Sequence, residues 1–150
     1  MLVNECNAAD GWTQVDFGSS DIMVVQVHTD WGKIVIISIY NDNAQHEAMK
    51  RVMQVIKDRT QQGHTAEGDS HTLWLGDFNL HHLLWGESHN SHLFMRGNLD
   101  KAQCLIDATA ELDFQAVLPR NLPTLQVMSS GNHTRQDNIL HLAQHMEAIT

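Results

Sequence analysis

The residues able to do chemistry crowd into one stretch, LWLGDFNLHHLLWG, from Leu73 to Gly86. An apolar run ends at Gly76, and an acid, an amide and two imidazoles follow it: Asp77, Asn79, His81 and His82. The glycine lets the backbone turn, so Asp77 and Asn79, two apart, can project to the same side. A carboxylate there can orient or deprotonate a water, and an amide can donate to an oxyanion. Together they suit attack on a phosphorus centre. A strand-end turn explains the same letters, because Asp and Asn are ordinary turn residues whose side chains bond nearby backbone. On GDFN alone the two readings stand side by side.

The elements that must position these residues are legible from periodicity. IMVVQVH, Ile22 to His28, and KIVIISIY, Lys33 to Tyr40, are β-branched and apolar and flank a TDWG connection, which predicts an antiparallel hairpin. From Ala44 to Gln62 the period turns helical, with Ala48, Val52, Val55, Ile56 and Arg59 at helical spacing and Gly63 as the stop. After the polar GHTAEGDS, strand character returns in HTLWLGDF, His71 to Phe78. A second helix is predicted over Leu99 to Asp113, with Ala102, Leu105, Ile106, Thr109 and Leu112 on one face. Short strands follow near Gln115 to Leu118, Thr124 to Val127 and Asn138 to Leu142, punctuated by Pro119 and Pro123. Strands alternating with helices point to an α/β sheet protein.

Composition narrows the classes. A chain of 150 residues with 42% hydrophobic residues holds one globular domain with a core, not two. It has no apolar run of the roughly 18 residues that a membrane span takes, and its start, MLVNECNAADGW, lacks a basic region followed by an apolar one, so the expectation is a soluble, intracellular chain. Cys6 and Cys104 fit no paired framework and are expected as free, partly buried thiols. The formal charge is -9 with histidines neutral. Lys50, Arg51, Lys57 and Arg59 have acids beside them and are expected to form a solvated helix face rather than a basic stripe. Any phosphate chemistry here would call for a metal cation.

The letters around GDFN carry a resemblance. GDFN followed by HH, two residues and WG is similar to the endonuclease/exonuclease/phosphatase superfamily, the DNase I-like fold, and most closely to its branch in non-LTR retrotransposons, where GDFN-x-HHPLWG is typical. Leu83 stands here in place of the proline, which bears on loop stiffness. IISIYND, Ile36 to Asp42, resembles the strand that ends in the family's active-site tyrosine, at Tyr40. NLPTLQ resembles its Pro-Thr step into a strand at Pro123 and Thr124, and SSGNHTRQDNIL, Ser129 to Leu140, is similar to a later segment of that branch. The four matches run in order over most of the chain.

The resemblance implies an α/β, DNase I-like two-sheet sandwich, here incomplete, with residues 1–150 forming part of one domain. It implies magnesium-dependent cleavage of nucleic-acid phosphodiesters, DNA first, and a nuclear place of work. In that scheme Asp77 orients the nucleophile, Asn79 and Tyr40 steady the phosphate oxygens, and Asp137 orients a histidine. His81 and Arg135 are candidate substrate contacts; Arg135 equally suits pairing with a carboxylate such as Asp137, and His81 and His82 equally suit bracing the loop against Trp85. The family's metal-gripping glutamate and its closing Ser-Asp-His are expected to have no counterpart in this sequence: Asn4 and Glu5 lie in a polar leader, and His141 and His145 follow Asp137 too closely. Activity is therefore expected to be impaired. The rival expectation is a non-catalytic interaction module that associates, with itself or a partner, through exposed sheet edges.

Other features take plain readings. His81, His82, His89 and His92 lie within a dozen positions, yet no cysteine or tight ligand quartet accompanies them, so surface or packing histidines are expected rather than a zinc site. Trp74 and Trp85 are expected in the core, Trp12 and Trp31 at sheet edges, and Met49 and Met53 in packing.

Overall fold

The computed structural model describes residues 11–30, 32–42, 50, 51, 53, 54, 70–86, 88–126, 128, 129, 131 and 133–142. Eight strands are defined among them: β1 (Trp12–Val15), β2 (Ile22–Thr29), β3 (Gly32–Tyr40), β4 (Ser70–Asp77), β5 (Phe114–Ala116), β6 (Leu125–Gln126), β7 (His133–Thr134) and β8 (Asp137–Leu142). A 3-10 helix, Ser88–Leu93, and the helix α1, Arg96–Glu111, lie between β4 and β5. The first six-stranded sheet has the order β1-β2-β3-β4-β8-β5, and β6 and β7 make a second, two-stranded sheet.

The β-branched runs form the centre of the large sheet as expected. β2 and β3 are an antiparallel hairpin from Ile22↔Ile39 to Thr29↔Gly32, β3 and β4 run parallel, and β4 and β8 run antiparallel. The parallel step needs a crossover, and the predicted helix of Ala44 to Gln62 lies in that connection. Most of it falls outside the described residues; Lys50, Arg51, Met53 and Gln54 are helical.

Alternation sorts the side chains. Val24, Ile37, Trp74 and Leu140 occupy one register row and are all buried, so one face of the sheet is the core face. Ala102 and Leu105 of α1 join the same apolar cluster, which Phe78, Leu80 and Trp85 from the loop after β4 complete. Trp74 lies 4.3 Å from Phe114 between ring centroids and is fully buried. Full burial of such a ring removes about 150–250 Å² from water, so Trp74 is a principal anchor of the sheet.

The boundaries moved for local reasons. α1 begins at Arg96, three residues before the predicted start, after an extended Met95 that offers no side-chain cap. Gly97 in the first turn hides that start from a propensity reading. The helix ends because Asp113 turns left-handed at φ 57, and Phe114 enters β5 at once. β1, with its half-polar WTQV, was not anticipated; it is the edge strand beside β2, and it places half-buried Trp12 at the sheet edge. Cys104 is free and exposed rather than partly buried, with its Sγ 3.5 Å from Met53 Sδ. Arg51 donates to the Gly18 carbonyl at 3.0 Å, and Lys50 and Arg51 are exposed. Asn4, Glu5, Cys6, Trp31, Met49, Lys57, Arg59 and His145 lie outside the described residues, as does the side chain of His89. No helix among the described residues is long and apolar enough to cross a membrane.

Candidate active site

The strand pairings bring the singled-out residues into one row. Tyr40 is the register partner of Asp77 across the parallel pair, and Asp77 is the partner of Asp137 across the antiparallel pair. Three residues from distant parts of the chain therefore stand side by side at one end of the sheet. By alternation their side chains share the face opposite Trp74. Tyr40 is 55% exposed, so its hydroxyl is open to an incoming group.

Gly76 fixes this row. Its φ is 137°, and a Cβ there would fall against the Ile39 carbonyl oxygen, well inside van der Waals contact, and 2.9 Å from the Ile39 nitrogen. Only glycine lets β3 and β4 approach this closely one residue before Tyr40 and Asp77.

Beyond Asp77 the chain makes the turn that Asp-x-Asn favours. Asp77 Oδ1 accepts the Asn79 backbone N–H at 2.9 Å, and Asn79 takes the left-handed conformation at φ 48. The turn reading and the catalytic reading are therefore compatible: Oδ1 holds the turn, and Oδ2 makes no hydrogen bond among the described residues. The Asn79 amide donates to the Asn41 carbonyl at 2.8 Å, which leaves one of its two N–H groups for another acceptor.

A residue the sequence reading passed over ties these parts together. Asn41 is wholly buried; its backbone N–H donates to the Asp77 carbonyl at 2.8 Å and its amide to the Phe78 carbonyl at 2.8 Å. The signal was an amide next to Tyr40 at the end of an apolar strand, in the same kind of place as Asn79. Thr124 is the second clamp. Its hydroxyl accepts the backbone N–H of Gln136 at 3.2 Å and of Asp137 at 3.1 Å, holding the start of β8.

Electrostatics set the carboxylates against each other. Burial raises Asp77 above the usual carboxylate range, the Asn79 N–H opposes this, Asp137 raises it further and His81 pulls it down. Burial also lowers His81, opposed by the attraction of Asp77 and assisted by His92. His81 therefore lies within electrostatic reach of the row. His82 braces the loop: its Nδ1 accepts the Leu84 N–H at 3.2 Å and its ring lies 5.3 Å from that of Trp85. The Trp85 indole N–H donates to the Leu80 carbonyl at 3.1 Å, so Trp85 is core and loop anchor together.

Arg135 is not brought to the Asp137 carboxylate. It is only 4% exposed, and its guanidinium donates to the carbonyls of Pro119 at 2.6 Å and Asp137 at 3.4 Å. His141 sits four residues along β8 from Asp137, roughly 13 Å at strand rise, and stacks on His71 at 5.9 Å. It is not an imidazole for Asp137.

A hard dication takes six or more oxygen ligands. Asp77 and Asp137 bring two carboxylates to one row, and their repulsion is what a dication would relieve. No third His, Cys, Asp or Glu joins them among the described residues. The described donors thus make part of a cation site, too little to route a catalytic step through it.

Residues 34–143 match the model of a family described as endonuclease-reverse transcriptase. Among solved structures, the endonuclease domain of TRAS1, a telomere-specific non-LTR retrotransposon, is similar with a TM-score of 0.63 at 16% identity, over 94% of this chain and 60% of that one. An endonuclease/exonuclease/phosphatase family protein from Leptotrichia buccalis C-1013-b is similar with a TM-score of 0.47 at 15% identity, over 80% of this chain and 41% of that one. No curated protein matches. The TRAS1 likeness shows the fold expected from the sequence, the DNase I-like α/β sandwich, and this chain spans 60% of that domain's length.

Proposed function

The chain belongs to the endonuclease-reverse transcriptase family, and from that premise we propose that its chemistry is hydrolysis of nucleic-acid phosphodiesters, DNA first, with magnesium as cofactor. The observation that carries the reading is the Tyr40–Asp77–Asp137 row, with Asn79 folded back onto Asp77.

Each residue has a task its surroundings suit. Asp77 orients the attacking water and takes its proton; its raised proton affinity makes it a better base than a solvent-exposed carboxylate. The remaining amide N–H of Asn79 and the exposed hydroxyl of Tyr40 steady the phosphate oxygens as charge grows on them. In the family scheme Asp137 orients a histidine; His81 is an imidazole in electrostatic reach of the row, through Asp77, and also serves as a contact to the nucleic-acid strand. Asp77 and Asp137 would give two of the oxygen ligands of a magnesium ion, which would supply charge neutralisation. The chain spans 60% of the TRAS1 domain's length, and our reading is that its activity by itself is impaired or lost. Acting as a retroelement endonuclease, it works in the nucleus.

The test is nicking of supercoiled plasmid by the purified chain with magnesium, beside Asp77→Ala and an EDTA control. Nicking that disappears in both controls supports the reading. A folded chain that never nicks overturns it; a mass that rises with concentration, unaffected by magnesium, would instead support self-association through the sheet edges at β1 and β5.

A further inference from the structure

The loop that leaves the Asp77 row ends in a turn of uncommon composition. Trp85 and Gly86 both donate their backbone N–H groups to the His82 carbonyl, at 3.3 and 2.9 Å, so Leu83 and Leu84 occupy the corner. Turn corners ordinarily carry Gly, Pro, Asn, Asp or Ser, yet these two leucines stand there 48% and 60% exposed. The turn is firmly held. Its foot is the buried Trp85, whose indole donates to the Leu80 carbonyl, and the His82 ring accepts the Leu84 N–H. Gly86 packs so closely that a Cβ there would lie 2.8 Å from the Phe94 ring. A braced frame therefore presents the leucines to solvent.

A second loop meets the first. The Asn121 N–H donates to the Trp85 carbonyl at 3.2 Å; Leu84 stands one residue from that bond on one loop, and Leu122, 42% exposed, one residue from it on the other. Both loops are rooted in the active row, for Asn79 is folded onto Asp77 at the start of the first and Thr124 holds the Asp137 N–H at the end of the second. From Asn79 to Leu83 the chain can span at most about 14 Å, or about four base steps of a nucleic-acid strand at roughly 3.4 Å each. Over 78–86 and 117–124 the sequence has a single lysine or arginine, Arg120, and the buried Arg135 is turned onto the Pro119 carbonyl. What this rim offers a strand is mostly apolar surface, which matches the face of a base rather than its phosphate.

We propose that Leu83 and Leu84, with Leu122 beside them, form an apolar wedge that takes the face of an unstacked nucleobase within a few nucleotides of the scissile phosphate. Leucine side chains can enter between base steps at the cost of unstacking them. A continuous duplex bears that cost in full, and a strand with unpaired bases bears little of it. The site therefore favours DNA that is unpaired near the cut. The wedge deepens the function proposed above and rests on it: the Asp77 row acts on the phosphate, and the turn selects where.

The test is fluorescence anisotropy of the full chain with a labelled DNA duplex that holds a central unpaired bubble, and with its fully paired twin, in EDTA so that no strand is cut. The wild type is compared with Leu83→Ser joined to Leu84→Ser, and with Leu83→Met joined to Leu84→Met, which keeps the corner apolar. The replaced side chains are exposed, so thermal melts of the three proteins should coincide. A bubble preference of about tenfold or more is expected, the scale of burying one leucine side chain, lost in the serine pair and kept in the methionine pair. Equal binding of the two duplexes by the wild type, binding of neither, or a preference that survives in the serine pair overturns the wedge. So does a mass that rises with concentration in the wild type and not in the serine pair, with no DNA preference, which would make the patch a contact between copies. Plasmid nicking by the same preparations keeps the two proposals apart. Nicking without a bubble preference overturns the wedge alone, and a leucine-dependent bubble preference without nicking overturns the hydrolase reading alone.

Discussion

Replacing Gly76 with alanine tests whether the close approach of β3 and β4 holds the Tyr40–Asp77–Asp137 row together. The new Cβ would meet the Ile39 carbonyl oxygen inside contact distance, with the Ile39 carbonyl carbon 3.0 Å away, and no side chain can swing aside because the obstacle is backbone. Two costs add. Holding a non-glycine residue at a φ of 137° costs about 1–3 kcal/mol. Parting the strands to relieve the overlap strains or breaks one or two ladder hydrogen bonds, each worth about 1 kcal/mol. The sum is roughly 2 to 5 kcal/mol, which for a chain of this size lowers Tm by on the order of 10 °C. Gly18→Ala is the control: Gly18 also has a positive φ, 64°, but a Cβ there meets nothing within 4 Å, so only the smaller backbone cost of about 1 kcal/mol applies. Thermal melts followed by circular dichroism compare the two variants. Equal losses, or a Gly76→Ala protein melting within about 2 °C of the wild type, would refute the close-approach argument.

Two further substitutions probe the site's electrostatics and its clamp. Asp77 has a raised folded-state pKa, so its ionised form is disfavoured by folding, and the resulting deficit is present above the folded pKa and gone below the unfolded value of about 3.9. Asp77→Asn, which keeps an oxygen for the Asn79 N–H, should therefore melt above the wild type at pH 7, with the gap closing as the pH falls to about 3; a gap that widens toward acid would contradict the shift. Thr124→Val leaves the backbone N–H groups of Gln136 and Asp137 without their shared acceptor. A loss of about 1–3 kcal/mol in urea unfolding is expected, with faster amide hydrogen exchange at those two residues, and unchanged exchange there would show that the hydroxyl is not their clamp.

Legibility followed the kind of interaction involved. The hairpin of β2 and β3 and the strand before Asp77 were readable because β-branched runs have few alternatives. The core positions of Trp74 and Leu105 followed from apolar spacing alone. Tyr40, Asp77, Asn79 and Asp137 were named from letters and likeness, but nothing local in the sequence says that they share a row, because that depends on register between strands far apart in the chain. Asn41 escaped notice for the same reason, since its partners, Asp77 and Phe78, are long-range backbone groups. The part Arg135 plays was undecidable from one sequence: only the fold reveals that its guanidinium is buried and holds the Pro119 carbonyl. β1 was missed because four half-polar residues become a strand only when an edge is there to receive them.

The central claim is that Asp77 and Asp137 act as one unit because the sheet places them side by side. The most direct measurement is the rate of magnesium-dependent plasmid nicking by the wild type, Asp77→Asn, Asp137→Asn and the double variant under one set of conditions. Groups that act together lose function together. The account predicts that each single variant falls by orders of magnitude and that the double variant is no slower than the worse of the two. Losses that multiply in the double variant, or an Asp137→Asn protein as fast as the wild type, would contradict it.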